Sequence, residues 1–353
     1  MASVEQHRNA WRVRWRDASG RQHARSFPRK SDATAYASIV EADKLRGVGL
    51  DPAGGRITFD AYATAWQARQ VWRPSTRKSQ AHALTGLPFG PRALTAIRHR
   101  EIQGWIAEIT PGLSPTTVES RFRAVTAVFR AARRDKLVAD LPTEGVRLPS
   151  RTVNPSERAV ALGPAQVAAL LEQLPAGCWS DYATVIALTG LRASEAAGIT
   201  ADRVVDGSLI VDRQLTRDDG TLGPVKTAAS SRVLPLSDRV LEVLAARPVD
   251  PATGLVFTSR HRRPLGHTTR GDAWRKARTA LEGTEHALPP AARGWHTLRH
   301  TYASTALAAG IDPATLSRML GHATVAETLM TYSHMIPGAA HASRNVVADA
   351  LGL

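Results

Sequence analysis

Near its C-terminal end the chain reads His296-Thr297-Leu298-Arg299-His300, then Leu320-Gly321-His322, then Tyr332-Ser333-His334. About a hundred residues earlier stands Thr189-Gly190-Leu191-Arg192-Ala193-Ser194-Glu195. In that order the chain offers an arginine, a His-x-x-Arg pair, a histidine and a tyrosine. Such a set has the parts needed to attack a phosphodiester. Guanidinium forks clamp phosphate oxygens, imidazoles move protons or donate hydrogen bonds, and one phenol is left as the nucleophile.

The spacing adds detail. Arg192 and Glu195 lie three apart, on one helix face, so the carboxylate can orient its neighbours, although a lone Arg-x-x-Glu is ordinarily a surface ion pair. His296 and Arg299 are also three apart and can reach a single phosphate. His296 is a candidate general acid or base, because an unperturbed imidazole titrates near neutrality. Tyr332 is one of five tyrosines. Its rival, Tyr302 beside His300, continues the apolar run Ala303, Ala306 and Leu307 and reads as packing. Asp312-Pro313 reads as a helix start ahead of the Leu-Gly-His block.

On these blocks, present together and in this order, the chain resembles the tyrosine recombinase (phage integrase) family over nearly its whole length. The resemblance implies that Tyr332 attacks phosphorus and forms a 3′-phosphotyrosyl link. The ester is then exchanged and not hydrolysed, so no nucleotide cofactor is expected. No metal is expected either, since Arg192 and Arg299 do the clamping. His322, ten residues before Tyr332, stands where the family has a phosphate hydrogen-bond donor. Lys226, in Gly223-Pro224-Val225-Lys226-Thr227, stands where the family has a hairpin lysine that protonates the 5′-oxygen. An exposed turn lysine is ordinarily decoration. Here lysine is scarce, six against forty arginines, and Ser230 to Leu236 matches the strand the family has next. The expected catalytic set is therefore Arg192, Lys226, His296, Arg299, His322 and Tyr332.

The elements that must position these groups read as mainly α with small β-sheets (α+β), in three domains. Residues 1–50 form a small sheet-plus-helix module. Trp11, Val13 and Trp15 alternate with Arg12, Arg14 and Arg16, the period of a half-buried strand with one cationic face. Ser3 to His7 and Arg21 to Phe27 flank it as strands, with Asp17 to Gly20 as a turn. Ser31 is expected to cap a helix through about Arg46, ended by Gly47 and Gly49. The resemblance makes this an arm-type DNA-binding domain; the alternative is a sheet whose arginines are only solvated. Residues 57–148 read as a helical core-binding domain. Its apolar stripes are Phe59, Tyr62, Ala63 and Trp66; Ile102, Trp105, Ile106 and Ile109; and Val118, Phe122, Val125, Val128 and Phe129. Trp72 to Lys78 places basic residues at a helix start, where phosphate binds readily. Leu141-Pro142 through Asn154-Pro155 reads as a linker. Residues 156–353 form the mixed α/β catalytic domain, with β-rich Val204–Val211 and Arg232–Leu236. Beyond Tyr332, the short apolar face of Val346, Val347, Ala350 and Leu351 packs on its own domain or on a neighbouring protomer.

Charge agrees with a polyanionic partner. The net charge is +15, from 46 basic and 31 acidic residues. Residues 1–50 carry 10 and 5, residues 51–150 carry 15 and 8, and residues 151–353 carry 21 and 18, so most of the excess precedes residue 151. The single cysteine, Cys178, excludes an internal disulfide or multi-cysteine zinc site and reads as a packed thiol. No run approaches eighteen apolar residues and the N-terminus carries no apolar leader, so a cytoplasmic, nucleoid-associated protein without membrane contact is expected. The expected function is site-specific recombination that integrates or excises a mobile element. Its partners are double-stranded DNA at core and arm-type sites, a homotetramer in the synaptic complex, and accessory DNA-bending or directionality factors. Two other readings are a catalytically silent DNA-binding accessory protein and a strand-relaxing topoisomerase of type IB. The complete six-residue set argues against the first, and the basic N-terminal module against the second.

Overall fold

The computed structural model describes residues 2–16, 20, 22–45, 56–150, 160–217 and 220–332. The chain divides into two compact units, Met1–Thr152 and Val153–Leu353.

The first unit opens with an antiparallel three-stranded sheet, β1 (Ser3–His7), β2 (Ala10–Arg16) and β3 (Gln22–Phe27), in sequential order. Val13 lies opposite Val4 on one side and Arg25 on the other. The helix α1 (Lys30–Leu45) packs on that face, where Val13, Ala33 and Ala37 are buried. Strand alternation therefore sends Arg12, Arg14 and Arg16 to the opposite face. Arg14 there pairs with Glu5 at 2.8 Å. The helix begins one residue before the expected cap, so Ser31 lies inside its first turn. The expected turn at Asp17–Ser19 and the stop at Gly47 and Gly49 lie outside the described residues.

Four helices follow: α2 (Phe59–Ala68), α3 (Pro74–Leu84), α4 (His99–Ile109) and α5 (Pro115–Arg134). The Thr58 and Ser114 hydroxyls cap α2 and α5 by accepting from the Ala61 and Thr117 amides. The three expected stripes converge on one core, in which Phe59 contacts Phe89 and Phe129 edge-on or tilted. Ile102, Val125, Val128 and Phe129 are fully buried there, each worth about 1.5–3 kcal/mol. Arg73, Arg77 and Lys78 are exposed at the start of α3. The linker reading fails for its first half. Leu141 and Thr143 are buried, and the Gln103 side chain brackets Arg147, accepting from its amide and donating to its carbonyl at 2.8 and 3.1 Å. Proline spacing marked a chain without regular structure, but such a chain can still be docked. Residues 151–159 lie outside the description.

The second unit carries α6 (Pro164–Gln173), α7 (Trp179–Thr189), α8 (Ala193–Ala197), α9 (Asp238–Ala245), α10 (His267–Ala280), α11 (His296–Ala308), α12 (Pro313–Leu320) and α13 (Val325–Tyr332). Between α8 and α9 run β4 (Val204–Val205), β5 (Ser208–Val211), β6 (Arg213–Leu215), β7 (Leu222–Pro224) and β8 (Arg232–Pro235). They form an antiparallel sheet in the order β4-β5-β8 and a separate β6-β7 ribbon. The expected single segment Val204–Val211 is in fact a hairpin. Asp206 and Gly207 both take positive φ, 48° and 72°, as a two-residue turn between twisted strands requires. Tyr182, Phe257, Trp274 and Trp295 meet edge-on within the core. Cys178 is buried at its edge with its thiol 3.2 Å from the Thr258 carbonyl. Among the described residues, no helix is long and apolar enough to cross a membrane.

Candidate active site

Two left-handed glycines set the geometry. Gly190 ends α7 with φ 65°, and Gly321 ends α12 with φ 68°. Any Cβ at Gly190 would stand 2.4 Å from the Tyr302 ring, and one at Gly321 would stand 2.9 Å from the Arg232 guanidinium. Both positions thus need glycine for backbone conformation and for space. What they gain is carbonyls turned toward arginines. Arg299 donates to the carbonyls of Gly190 and Leu320 at 2.8 and 2.9 Å. Arg192 donates to the Gly321 carbonyl at 3.1 Å. Helix ends far apart in sequence therefore hold the two guanidinium groups together.

Glu195 ties the cluster down. Arg192 is the residue just before α8 and not on its face, so Glu195 reaches back to it. The carboxylate accepts from the Arg192 amide at 3.1 Å and from its side chain at 2.7 Å. It also accepts from Arg232 at 3.0 Å. Glu195 is 2% exposed, so this is no surface pair. Burial alone would raise its pKa, but the charges and hydrogen bonds of Arg232 and Arg192 outweigh that and hold it below the usual carboxylate range. Arg232 is fixed in turn by the carbonyls of Met319 and Ser230 at 2.6 and 2.8 Å. Ser230 accepts from Arg192 at 3.1 Å and contacts the Thr227 hydroxyl at 2.9 Å.

The remaining groups face these arginines. Tyr332, at the end of α13, is 1% exposed. Its hydroxyl lies 3.0 Å from His300 Nδ1. Burial pushes its pKa up, while the charge and hydrogen bond of Arg299 pull the other way. The His322 ring lies parallel to the Tyr332 ring at 6.4 Å, and its Nδ1 contacts the Thr328 hydroxyl at 2.7 Å. Burial and the nearby arginines depress His322 to about 4. His296, at the start of α11, remains accessible to solvent. Surrounding protein, then Arg299 and Arg192, still lower its pKa. Burial and the like charge of Arg192 bring even Arg299 down to about 10. Burial first, and then the charge of neighbouring arginines, disfavours added positive charge on His296, Arg299 and His322, while burial disfavours the Tyr332 phenolate. Arginine has five N–H donors, and Arg192 commits three of them. An incoming oxyanion would find donors already aimed and fixed.

Of the six expected residues, Arg192, His296, Arg299, His322 and Tyr332 share one electrostatic cluster. Lys226 is exposed, on the link between β7 and β8. Among the described residues it forms no hydrogen bond or ion pair with the cluster; its neighbour Thr227 connects through Ser230. Tyr302 packs as expected, its hydroxyl no closer than 4.0 Å to the Met319 sulfur. Sequence reasoning missed Arg232 and His300. Both stand within the motif blocks, but only the return of α12 and α13 shows what they face.

The model of the phage integrase family matches residues 161–337, half of the chain. An integrase of Streptomyces ambofaciens is 28% identical, over 91% of this chain and 87% of that protein. Among solved structures, the Tn1549 transposon integrase in complex with transposon right end DNA has a TM-score of 0.69 at 23% identity, covering 83% of this chain and 100% of its own. A lambda integrase tetramer bound to a Holliday junction has a TM-score of 0.58 at 17% identity, covering 92% and 96%. These two likenesses speak for the fold, and the family match speaks for kinship. The chain belongs to the phage integrase family of tyrosine recombinases.

Proposed function

We propose that this recombinase cuts and rejoins double-stranded DNA at attachment sites of a mobile element, with Tyr332 as the nucleophile. The observation that carries the reading is the convergence of Arg192, Arg299, His322 and Tyr332 from four separate helix ends into one arginine-rich cluster. In-line transfer at phosphorus needs a placed nucleophile, donors for the non-bridging oxygens and a proton for the departing oxygen. The spare N–H groups of Arg192 and Arg299 take the oxygens, with His322 as a further donor. His296, accessible at the start of α11, exchanges protons at the phosphate. Lys226, on its exposed link, swings to the 5′-oxygen as the acid. The bond energy of the ester is kept in the phosphotyrosyl link, so resealing needs neither nucleotide nor metal.

Residues 1–50 are proposed as an arm-type module, 57–148 as the core-binding domain and 156–353 as the catalytic domain. The lambda integrase neighbour is tetrameric on a Holliday junction, and a tetramer on paired sites is the assembly proposed here, with accessory bending or directionality factors. A nicked duplex spanning the element's junction tests the core of this reading. The wild-type protein should become covalently attached at a 3′-phosphate, and Tyr332→Phe should bind the duplex but form no adduct. An adduct that persists in Tyr332→Phe, or that maps to Tyr302, refutes the assignment.

A further inference from the structure

The chemistry above leaves His300 unused, yet this residue touches the reacting atom. Its Nδ1 lies 3.0 Å from the Tyr332 hydroxyl, with the rings 5.6 Å apart. One residue beyond Arg299 is about 100° further round α11. Arg299 can therefore reach the Gly190 and Leu320 carbonyls while His300 meets α13. The other histidine near this ring is otherwise engaged, since His322 Nδ1 is taken up by Thr328. Arg299, fixed on the Gly190 and Leu320 carbonyls, sets its positive charge near the Tyr332 hydroxyl and has no lone pair to take a proton. The phenol's single proton has a ring nitrogen within hydrogen-bond reach in His300 Nδ1. Burial, with His296, Arg299 and His322 as the charged or titratable neighbours, holds His300 at about 4. Its imidazole is therefore neutral at neutral pH and has a lone pair to offer.

We propose that His300 takes the Tyr332 proton as the phenol attacks phosphorus and returns it when the strand is resealed. This rests on the reading of Tyr332 as the nucleophile. In cleavage the Tyr332 Oη–P bond forms and the P–O5′ bond breaks. The phenolic proton passes to His300 Nδ1, and the 5′-oxygen receives a proton from Lys226. Resealing reverses each transfer, so nothing is consumed. The free imidazole is too weak a base to ionise a buried phenol beforehand. The transfer runs together with bond formation, which makes the phenolic proton acidic, while the arriving phosphate offsets the Arg299 charge that depresses His300.

The test uses full-length His300→Ala and His300→Asn in single-turnover cleavage of a nicked duplex spanning the element's junction, with DNA binding measured in parallel. Peptide mapping of the wild-type adduct comes first; attachment away from Tyr332 overturns the nucleophile reading and this proposal with it. With attachment at Tyr332, both variants should bind DNA normally and cleave about 10²–10⁴-fold more slowly. Asparagine can keep a hydrogen bond to the phenol but cannot carry its proton. Resealing should slow by the same factor, leaving the cleavage equilibrium unchanged. Added imidazoles should restore part of the His300→Ala rate, more so for the more basic ones. Wild-type cleavage by His300→Asn, or a slow His300→Ala that binds DNA and ignores imidazoles, reduces His300 to packing or positioning and refutes the proposal. If His300→Ala does not fold, the His300→Asn rate decides alone.

Discussion

Replacing Glu195 with glutamine removes one charge and almost no volume, which makes it a sharp probe of how the arginine cluster is held. The carboxylate takes three hydrogen bonds, two from Arg192 and one from Arg232. Its side chain is 2% exposed and that of Arg232 is 7%. Without the charge, Arg232 is left with neutral acceptors alone, the carbonyls of Met319 and Ser230 and the introduced amide oxygen. Breaking a buried pair in this way costs about 3–5 kcal/mol, and because glutamine still accepts a hydrogen bond the lower end, about 3 kcal/mol, is expected. For a unit of this size that is a fall of about 6–12 °C in melting temperature. The loss should depend on pH with a definite sign. The Glu195 pKa is lower folded than unfolded. Its contribution is therefore full above the unfolded value and fades as pH falls through the folded one. Wild type and Glu195→Gln should differ most near neutrality and converge in acid. Thermal and urea unfolding across that range would measure it. Cleavage should drop by about 10²-fold as Arg192 loses its anchor, with DNA affinity little changed. A loss under 1 kcal/mol at neutral pH, or a gap that widens in acid, would refute the claim that Glu195 holds the arginines by charge.

Gly321→Ala should cost at least about 1–2 kcal/mol from its left-handed backbone, and its Cβ would press on Arg232. Because the Gly321 carbonyl orients Arg192, cleavage should fall together with melting temperature; a variant with normal turnover would show that this carbonyl is dispensable. Lys226→Ala should cleave an ordinary duplex poorly but recover on a duplex whose 5′-bridging oxygen is sulfur, since a thiolate leaves without a proton. Absence of recovery would make Lys226 a binding residue at most. Deleting residues 1–50 should leave cleavage of an isolated core site intact while flattening the salt dependence of binding to full attachment sites, as phosphate contacts are lost. Footprints of identical extent for the whole and shortened proteins would rule out an arm-binding role.

Legibility followed the range of the physics. The stripes of α2, α4 and α5 and the Asp312 start of α12 could be read because amphipathic period and capping are local. Asp312 does accept from the amides of Ala314 and Thr315. The β6-β7 ribbon escaped because three-residue strands carry too little period to register, and the Asp206-Gly207 turn was passed over inside an apolar run. The docked stretch after Leu141 escaped because its partner, Gln103, is remote in sequence. The candidate site divides along the same line. Motif blocks and the family resemblance they carry singled out Arg192, His296, Arg299, His322 and Tyr332 because each block is a short local signature. What makes those blocks a site is non-local. The carbonyls of Gly190, Leu320 and Gly321 cross between α7, α11, α12 and the start of α8. A glycine beside each block was visible in the sequence, yet its use was not. Gly190 and Gly321 serve the arginines through backbone oxygens, which every residue type possesses. The left-handed turn aims those oxygens, and only the close approach of Tyr302 and Arg232 explains why no side chain can stand there.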